Sequence, residues 1–280
     1  GGGTLTYRWE SSTASCSAGF STIGGATGLS YDPPTGLTVT TYYRRVAIST
    51  LTGVPCEANS NCVTVTVNSV MPGSIGADQG VCAGGDPAAF TELTPSTGVG
   101  TLTYRWDSTT TGCASGFAPI GGATSATYDP PSGLTTTTYY RRVAISTLSG
   151  VPCEIAGNCV KVTVNNVTAG VVSGSQSVCS GGDPVAFTTT TGATTTGTVG
   201  YQWQSSTTDC STGFTDIGGA TGATYDPPSG LTMTTYYHLV VSSTVGANTC
   251  TATSNCLTVT VNALPQGGLT GSTICAGGTG

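Results

Sequence analysis

The sequence predicts an all-β protein, a β-sandwich repeated in tandem with a period of 97 residues. Three observations lead there. Trp9, Trp106 and Trp203 are spaced 97 and 97 residues apart, as are Cys16, Cys113 and Cys210; Cys56, Cys153 and Cys250; and Cys62, Cys159 and Cys256. Residues 31–57 match residues 128–154 at 24 of 27 positions, while the third copy has drifted further. Within each period the local pattern alternates as a half-buried strand does. Pro-Pro, Gly-Gly and Asp-Pro punctuate the intervals as turns, and no segment sustains a helical period. A period this long exceeds the roughly 20 to 50 residues of a solenoid coil. It matches one sandwich of the immunoglobulin type, of about 100 residues.

The elements follow in order along the complete copy expected at residues 70–167. A first strand, A, is placed near 73–82 (GSIGADQGVC), and B near 87–93 (PAAFTEL), beyond the Asp86-Pro87 turn. In strand C, TLTYRW, Leu102, Tyr104 and Trp106 share one face while Thr101, Thr103 and Arg105 share the other. A short C′ strand is expected near 117–121 and E near 126–130, where Asp129-Pro130 turns the chain. F is the β-rich run 137–146 (TTYYRRVAIS). In G, at 159–164, Val160, Val162 and Val164 point one way, Lys161 and Thr163 the other. A second complete copy is expected at 168–263. Residues 1–69 read as a partial copy lacking its first strands, because Gly1 corresponds to Gly98. Residues 264–280 read as the first strand of a following repeat, or a strand donated to a neighbouring subunit. Joins such as VNSVMPG and VNNVTAG are short, so the copies are expected to stack into a stiff rod. Each would advance it by roughly 35 to 45 Å, from strands of about seven residues plus end loops.

Composition narrows the function. Only 7% of the 280 residues are charged, with 13 acids against 7 bases, and Gly, Ser and Thr take their place. No basic stripe exists to neutralise phosphates, which argues against nucleic acid. No apolar run approaches the ~20 residues of a membrane span, and no N-terminal export signal is visible. The chain therefore reads as a segment exported by signals outside it. A hydrophobic content of 37% is enough for packed cores. The 12 cysteines with a single His and a single Lys are not arranged as zinc knuckles, so disulfides and an oxidising compartment are expected.

At VCAGGDPAAF, TYRWDSTTTGCASGF, IGGATSATYDPPSGLTTTTYYRR and CTATSNCLTVTVN the chain resembles the immunoglobulin-like or PKD-like tandem repeats of large Bacteroidetes cell-surface proteins, including gliding-motility adhesin-type repeats. The likeness covers essentially the whole chain. It implies secretion, display at the cell surface and a structural or adhesive task, with no catalytic residue to carry over.

Candidate chemistry is weighed residue by residue. The recurrent Asp32, Asp129 and Asp226, and Asp86 and Asp183, each stand alone before a proline, which suits turns better than the crowded oxygens of a calcium site. Arg44-Arg45 and Arg141-Arg142 could grip a sugar or carboxylate. In the third copy, however, they become His238 and Leu239, so packing or a solvated strand face is favoured. His238 has no nucleophile at an elbow motif, and no triad can be assembled. Tyr104, Trp106, Tyr139 and Tyr140 could line a carbohydrate platform, but Trp on C and Tyr on F are core positions in such sandwiches. Asn166-Val167-Thr168 is a formal N-glycosylation sequon. Asp107-Ser108-Thr109 looks like the Asp-Ser/Thr acceptor of Bacteroidetes. Each occurs in one copy.

Covalent stapling must come from disulfides, since an isopeptide bond needs a Lys in every copy and only Lys161 exists. All of Cys16, Cys56, Cys62, Cys82, Cys113, Cys153, Cys159, Cys179, Cys210, Cys250, Cys256 and Cys275 are assigned to bridges, with connectivity open. Cys153 and Cys159 could close an FG loop on themselves and leave Cys82 to Cys113. Alternatively, Cys82 could pair with an FG-loop cysteine, including one in a neighbouring copy. The expectation is a non-enzymatic structural protein without cofactor or metal, a segment of an extracellular filament whose partner is itself. The alternative is a cell-surface adhesin that binds glycans or other cells through loop tips or a sandwich face.

Overall fold

The computed structural model describes residues 2–268, together with 271 and 276; among them there is no helix. The middle repeat is an immunoglobulin-like sandwich, as expected. Its larger sheet runs Ala118–Pro119, Thr101–Thr109, Thr138–Leu148, Val151–Asn165 and Gln79–Cys82, antiparallel except for the last pair. β-branched and aromatic residues fill these strands, which is why they take the pleated form. Facing this sheet, Ser74–Ile75 pairs with Glu92–Thr94, and a single bridge joins Phe90 to Tyr128. The core lies between the layers. Trp106 and Val162 are 0% exposed, and Phe90 stacks on Trp106 at 5.8 Å between ring centroids. Val160, Val162 and Val164 are all buried, so the period-2 reading of that strand holds. The third repeat has the same plan, with Gln176–Cys179 parallel to Leu257–Asn262 and Phe187 on Trp203.

Four local expectations need correction. Strand A is two strands: after Ile75 the chain leaves one layer, and Gln79–Cys82 joins the other, parallel to the end of Val151–Asn165. Residues 126–130 form no strand but only the Phe90–Tyr128 bridge, because the two prolines that follow Asp129 have no N–H to continue a ladder. Strand G begins at Val151, and the connection before it is the two-residue turn Ser149-Gly150, with φ of 50° and 82°. Positive φ at both centres is the I′ geometry that matches strand twist. Cys153 and Cys159 therefore lie in one extended strand, about 20 Å apart at ~3.3 Å per residue, and cannot bridge each other.

In the first repeat the described residues form one sheet, built on Thr4–Ser12, Thr41–Leu51 and Val54–Asn59. Trp9 is only half-buried: it contacts Tyr31 at 5.8 Å, as Trp106 contacts Tyr128, but no described residue stacks on it as Phe90 stacks on Trp106.

Candidate functional site: the joint between repeats

Strand Val151–Asn165 ends on Asn165, which lies in register with Cys82 and is 1% exposed. Its side-chain amide enters the following repeat. Nδ2 donates to the Ser243 carbonyl at 2.7 Å and the Asn248 carbonyl at 3.2 Å, and Ser243 Oγ donates to Oδ1 at 2.6 Å. Ser243, 0% exposed, also accepts from the Gly197 N–H at 3.0 Å. Both ends of a buried amide are thus satisfied, as burial demands. The preceding joint repeats the construction: Asn68 Nδ2 donates to the Ser146 and Val151 carbonyls at 2.6 and 2.9 Å, and Ser146 Oγ donates to Asn68 Oδ1 at 2.7 Å. Gly100, like Gly197, sits where a Cβ would collide with a strand carbonyl, that of Thr147 in the first case and Thr244 in the second. The joins themselves are paired backbone. Val70–Met71 bonds Thr97–Gly98, and Val167–Thr168 bonds Thr194–Thr195.

A disulfide crosses the second joint. Cys82, opposite Asn165, bonds Cys250, opposite Ser243, with Cα atoms 5.6 Å apart. The other three bridges, Cys16–Cys62, Cys113–Cys159 and Cys210–Cys256, each lie within a repeat at a sequence separation of 46. The option of Cys82 with Cys113 is thereby excluded. Cys56, Cys153 and Cys179, also assigned to bridges, carry free thiols in this chain. Cys275 lies outside the described residues.

The charged residues form cross-strand ladders on the exposed side of the large sheets. Asp107, 2% exposed, takes Arg105 Nε at 3.0 Å and Arg141 Nη2 at 3.0 Å; Arg105 reaches Glu154 at 2.6 Å, and Arg141 covers the Phe117 ring at 4.1 Å. Arg8, Glu10, Arg44, Glu57 and Phe20 repeat this in the first copy. Burial alone would raise the Glu10 carboxyl, but hydrogen bonds from Arg44 and Arg8 outweigh it and hold the group below its ordinary value. In the third copy all the charges change together, to Gln202, Gln204, His238 and Thr251. His238 stacks on Phe214 at 3.7 Å and contacts Gln204 Oε1 through Nε2 at 2.6 Å, and burial lowers its pKa. Arg142, by contrast, is 1% exposed. It bonds Glu92 at 2.7 Å, the Ala126 carbonyl at 2.7 Å and Ser96 at 3.0 Å, leaving Nε without a partner. Leu239 and Thr189 take the places of Arg142 and Glu92 in the third copy, so the pair fills space.

The remaining candidates fall out as follows. Trp106 and Tyr140 are buried, while Tyr104 lies half-buried under Arg142 and Tyr139 is half-buried, so the four do not make an open platform. Asn166 is exposed. Asp107-Ser108-Thr109 lies inside a strand, not on an exposed loop; its acid is buried and Thr109 bonds Thr111 at 3.0 Å. Among the described residues no three His, Cys, Asp or Glu side chains converge as a metal cage would require, and no helix is long and apolar enough to cross a membrane. Sequence reasoning missed Asn68 and Asn165. The available signal was the Val-Asn pair that closes each copy at residues 68, 165 and 262, together with Ser49, Ser146 and Ser243.

A family model described as Domain of unknown function (DUF8696) matches residues 1–69, 71–166 and 168–263. No curated protein matches the chain. Among solved structures, the three N-terminal domains of the bacteriophage RB49 Highly Immunogenic Outer Capsid protein (Hoc) are 11% identical, with a TM-score of 0.40, covering 94% of this chain and 89% of that one. Drosophila OTK extracellular domains 3–5 are 11% identical at a TM-score of 0.34, covering 93% and 86%. Chicken CNTN1 FN1–FN3 domains are 14% identical at 0.24, covering 93% and 90%.

Proposed function

The chain belongs to the DUF8696 family in three successive repeats, and from that premise we propose that it is a structural, non-enzymatic segment of an extracellular filament built from head-to-tail sandwiches. One observation carries the reading. The two joints are built by the same bonds at the same spacing, Asn68 to the Ser146 and Val151 carbonyls, Asn165 to the Ser243 and Asn248 carbonyls. A joint that recurs by translation is one that an array can extend without limit.

Two further features support it. Four disulfides suit an oxidising, extracellular compartment. A surface of Thr, Ser and Gly with few like charges favours packing against copies of itself. The adhesin reading loses its best residues, since Trp106, Tyr140, Trp203 and Tyr237 are core. Electron microscopy of the native material, with glycan binding measured on the same preparation, is the test. Filaments without glycan affinity are expected; soluble monomers with measurable glycan affinity overturn the proposal.

A further inference from the structure

The four bridges differ in span. Cys16–Cys62, Cys113–Cys159 and Cys210–Cys256 each close 46 residues inside one sandwich, whereas Cys82–Cys250 closes 168 and joins two. Restriction of the unfolded chain grows only with the logarithm of loop length, so the longer loop adds little to stability. Its effect on extension is linear. A cross-link takes every residue between its ends out of the covalent path, here about 590 Å of chain at ~3.5 Å per residue. Phe90, Trp106, Tyr140, Phe187, Trp203 and Tyr237, the aromatic centres of both cores, all lie in that excluded stretch. The bridge also stands where a pull between repeats is passed on. Strand Val151–Asn165 leads out of the second repeat into the join, and its last residue is tied to the third repeat by the Asn165 hydrogen bonds. Cys82 is in register with Asn165 and Cys250 with Ser243, so the covalent link runs beside those bonds. Hydrogen bonds exchange with water and part under a sustained pull; a disulfide parts only by covalent chemistry.

Deepening the structural reading, on which the source of the load rests, we propose that the chain is a tie that carries axial tension: the pull passes from the second repeat to the third through Cys82–Cys250, and the sandwich cores between the two cysteines stay outside the load path. Pulled from its ends, the chain gives up the strands before Cys82 and after Cys250 and then stops. The bridges of separation 46 act in the same way on a smaller scale, each holding back part of its own sandwich.

The test is force spectroscopy on the single full-length chain, held at its two ends under non-reducing conditions with its free thiols alkylated. C82S/C250S puts both sandwiches back into the path, apart from what Cys113–Cys159 and Cys210–Cys256 still bypass. That chain is expected to show two equal steps, one per sandwich, that are absent from wild type. It is expected to reach about 270 Å further, from roughly 75 residues returned to the path at ~3.5 Å each. Final length does not depend on folding, so a C82S/C250S chain that misfolds still reports the path. Reduced wild type is expected to reach about 750 Å further than oxidised, the 168 residues of this bridge and the 46 of Cys16–Cys62 at ~3.5 Å each. Three results overturn the proposal: oxidised wild type showing the two steps, oxidised wild type as long as C82S/C250S at full stretch, or native material in which Cys82 or Cys250 is open to alkylation before reduction. Any of these in native filaments would end this inference and leave the filament reading standing. The expected curves from a native protein that is monomeric and glycan-binding would uphold the load path and remove the filament.

Discussion

Replacing Asn165 by Ala removes the amide that ties the second and third repeats together. Three hydrogen bonds go with it, to the Ser243 carbonyl, the Asn248 carbonyl and from Ser243 Oγ. At about 1 kcal/mol net for each bond, with a further cost for any buried group left unpaired, the loss is about 3 kcal/mol. It falls on the coupling between neighbours rather than on either sandwich, because Asn165 lies at the end of its own strand. In an array of coupled units, weakening an interface splits one cooperative transition into separate ones. Trp106 and Trp203 report on the two flanking cores, so urea unfolding followed by fluorescence can see the split. The wild-type chain under reducing conditions is expected to unfold repeats two and three together; Asn165→Ala is expected to separate them, and Asn68→Ala to leave that pair coupled. A double-mutant cycle with Ser243→Ala should return a coupling near 1 kcal/mol, the worth of the shared bond. A loss below about 0.5 kcal/mol with transitions unsplit would refute the reasoning, since that is the scatter of surface substitutions.

Three other outcomes follow from the same structure. Thr52 holds φ of 48° in the first hairpin, a region costly for a β-branched residue, so Thr52→Asn should stabilise that repeat by about 0.5 to 1 kcal/mol, read as a raised urea midpoint. Cys113→Ser with Cys159→Ser opens a loop of separation 46 and should cost about 4 kcal/mol in the chain-entropy estimate, measured on the middle repeat by the same fluorescence. Glu10 has a depressed folded-state pKa, so its contribution is present above the ordinary carboxylate value of 4.5 and is lost as pH falls through the lower folded value. Glu10→Gln should flatten the acid limb of the first repeat's stability between pH 4.5 and that value, as followed by urea unfolding in a pH series.

Much of the fold was legible because period and alternation are local properties. Trp106, Tyr140 and the three valines of the last strand announce their burial by spacing alone. The crossing of the chain from one layer to the other after Ile75 was not legible, because GSIGADQGVC reads as a single extended run until the parallel partner at Val162 is known. Disulfide partners were hidden for the same reason: Cys113 meets Cys159 through the register of three strands, and Cys82 meets Cys250 only once two repeats are docked. Of the two readings of Arg142, packing holds and a solvated face does not, but nothing in the local sequence reveals that Glu92 will neutralise it inside the sandwich. The joint was visible in principle. Ser243 persists in the drifted third copy although the Arg pair on its strand does not, and that persistence is what a shared contact with Asn165 produces.

The central claim is that one joint, repeated by translation, builds an extended array. Electron microscopy of the native material, with helical reconstruction, measures it directly, as the axial distance and rotation between successive sandwiches. A single constant rise of roughly 35 to 45 Å per sandwich, the length of one strand layer with its end loops, is the predicted result. Sandwiches packed side by side, or a rise and rotation that vary from joint to joint, would contradict it.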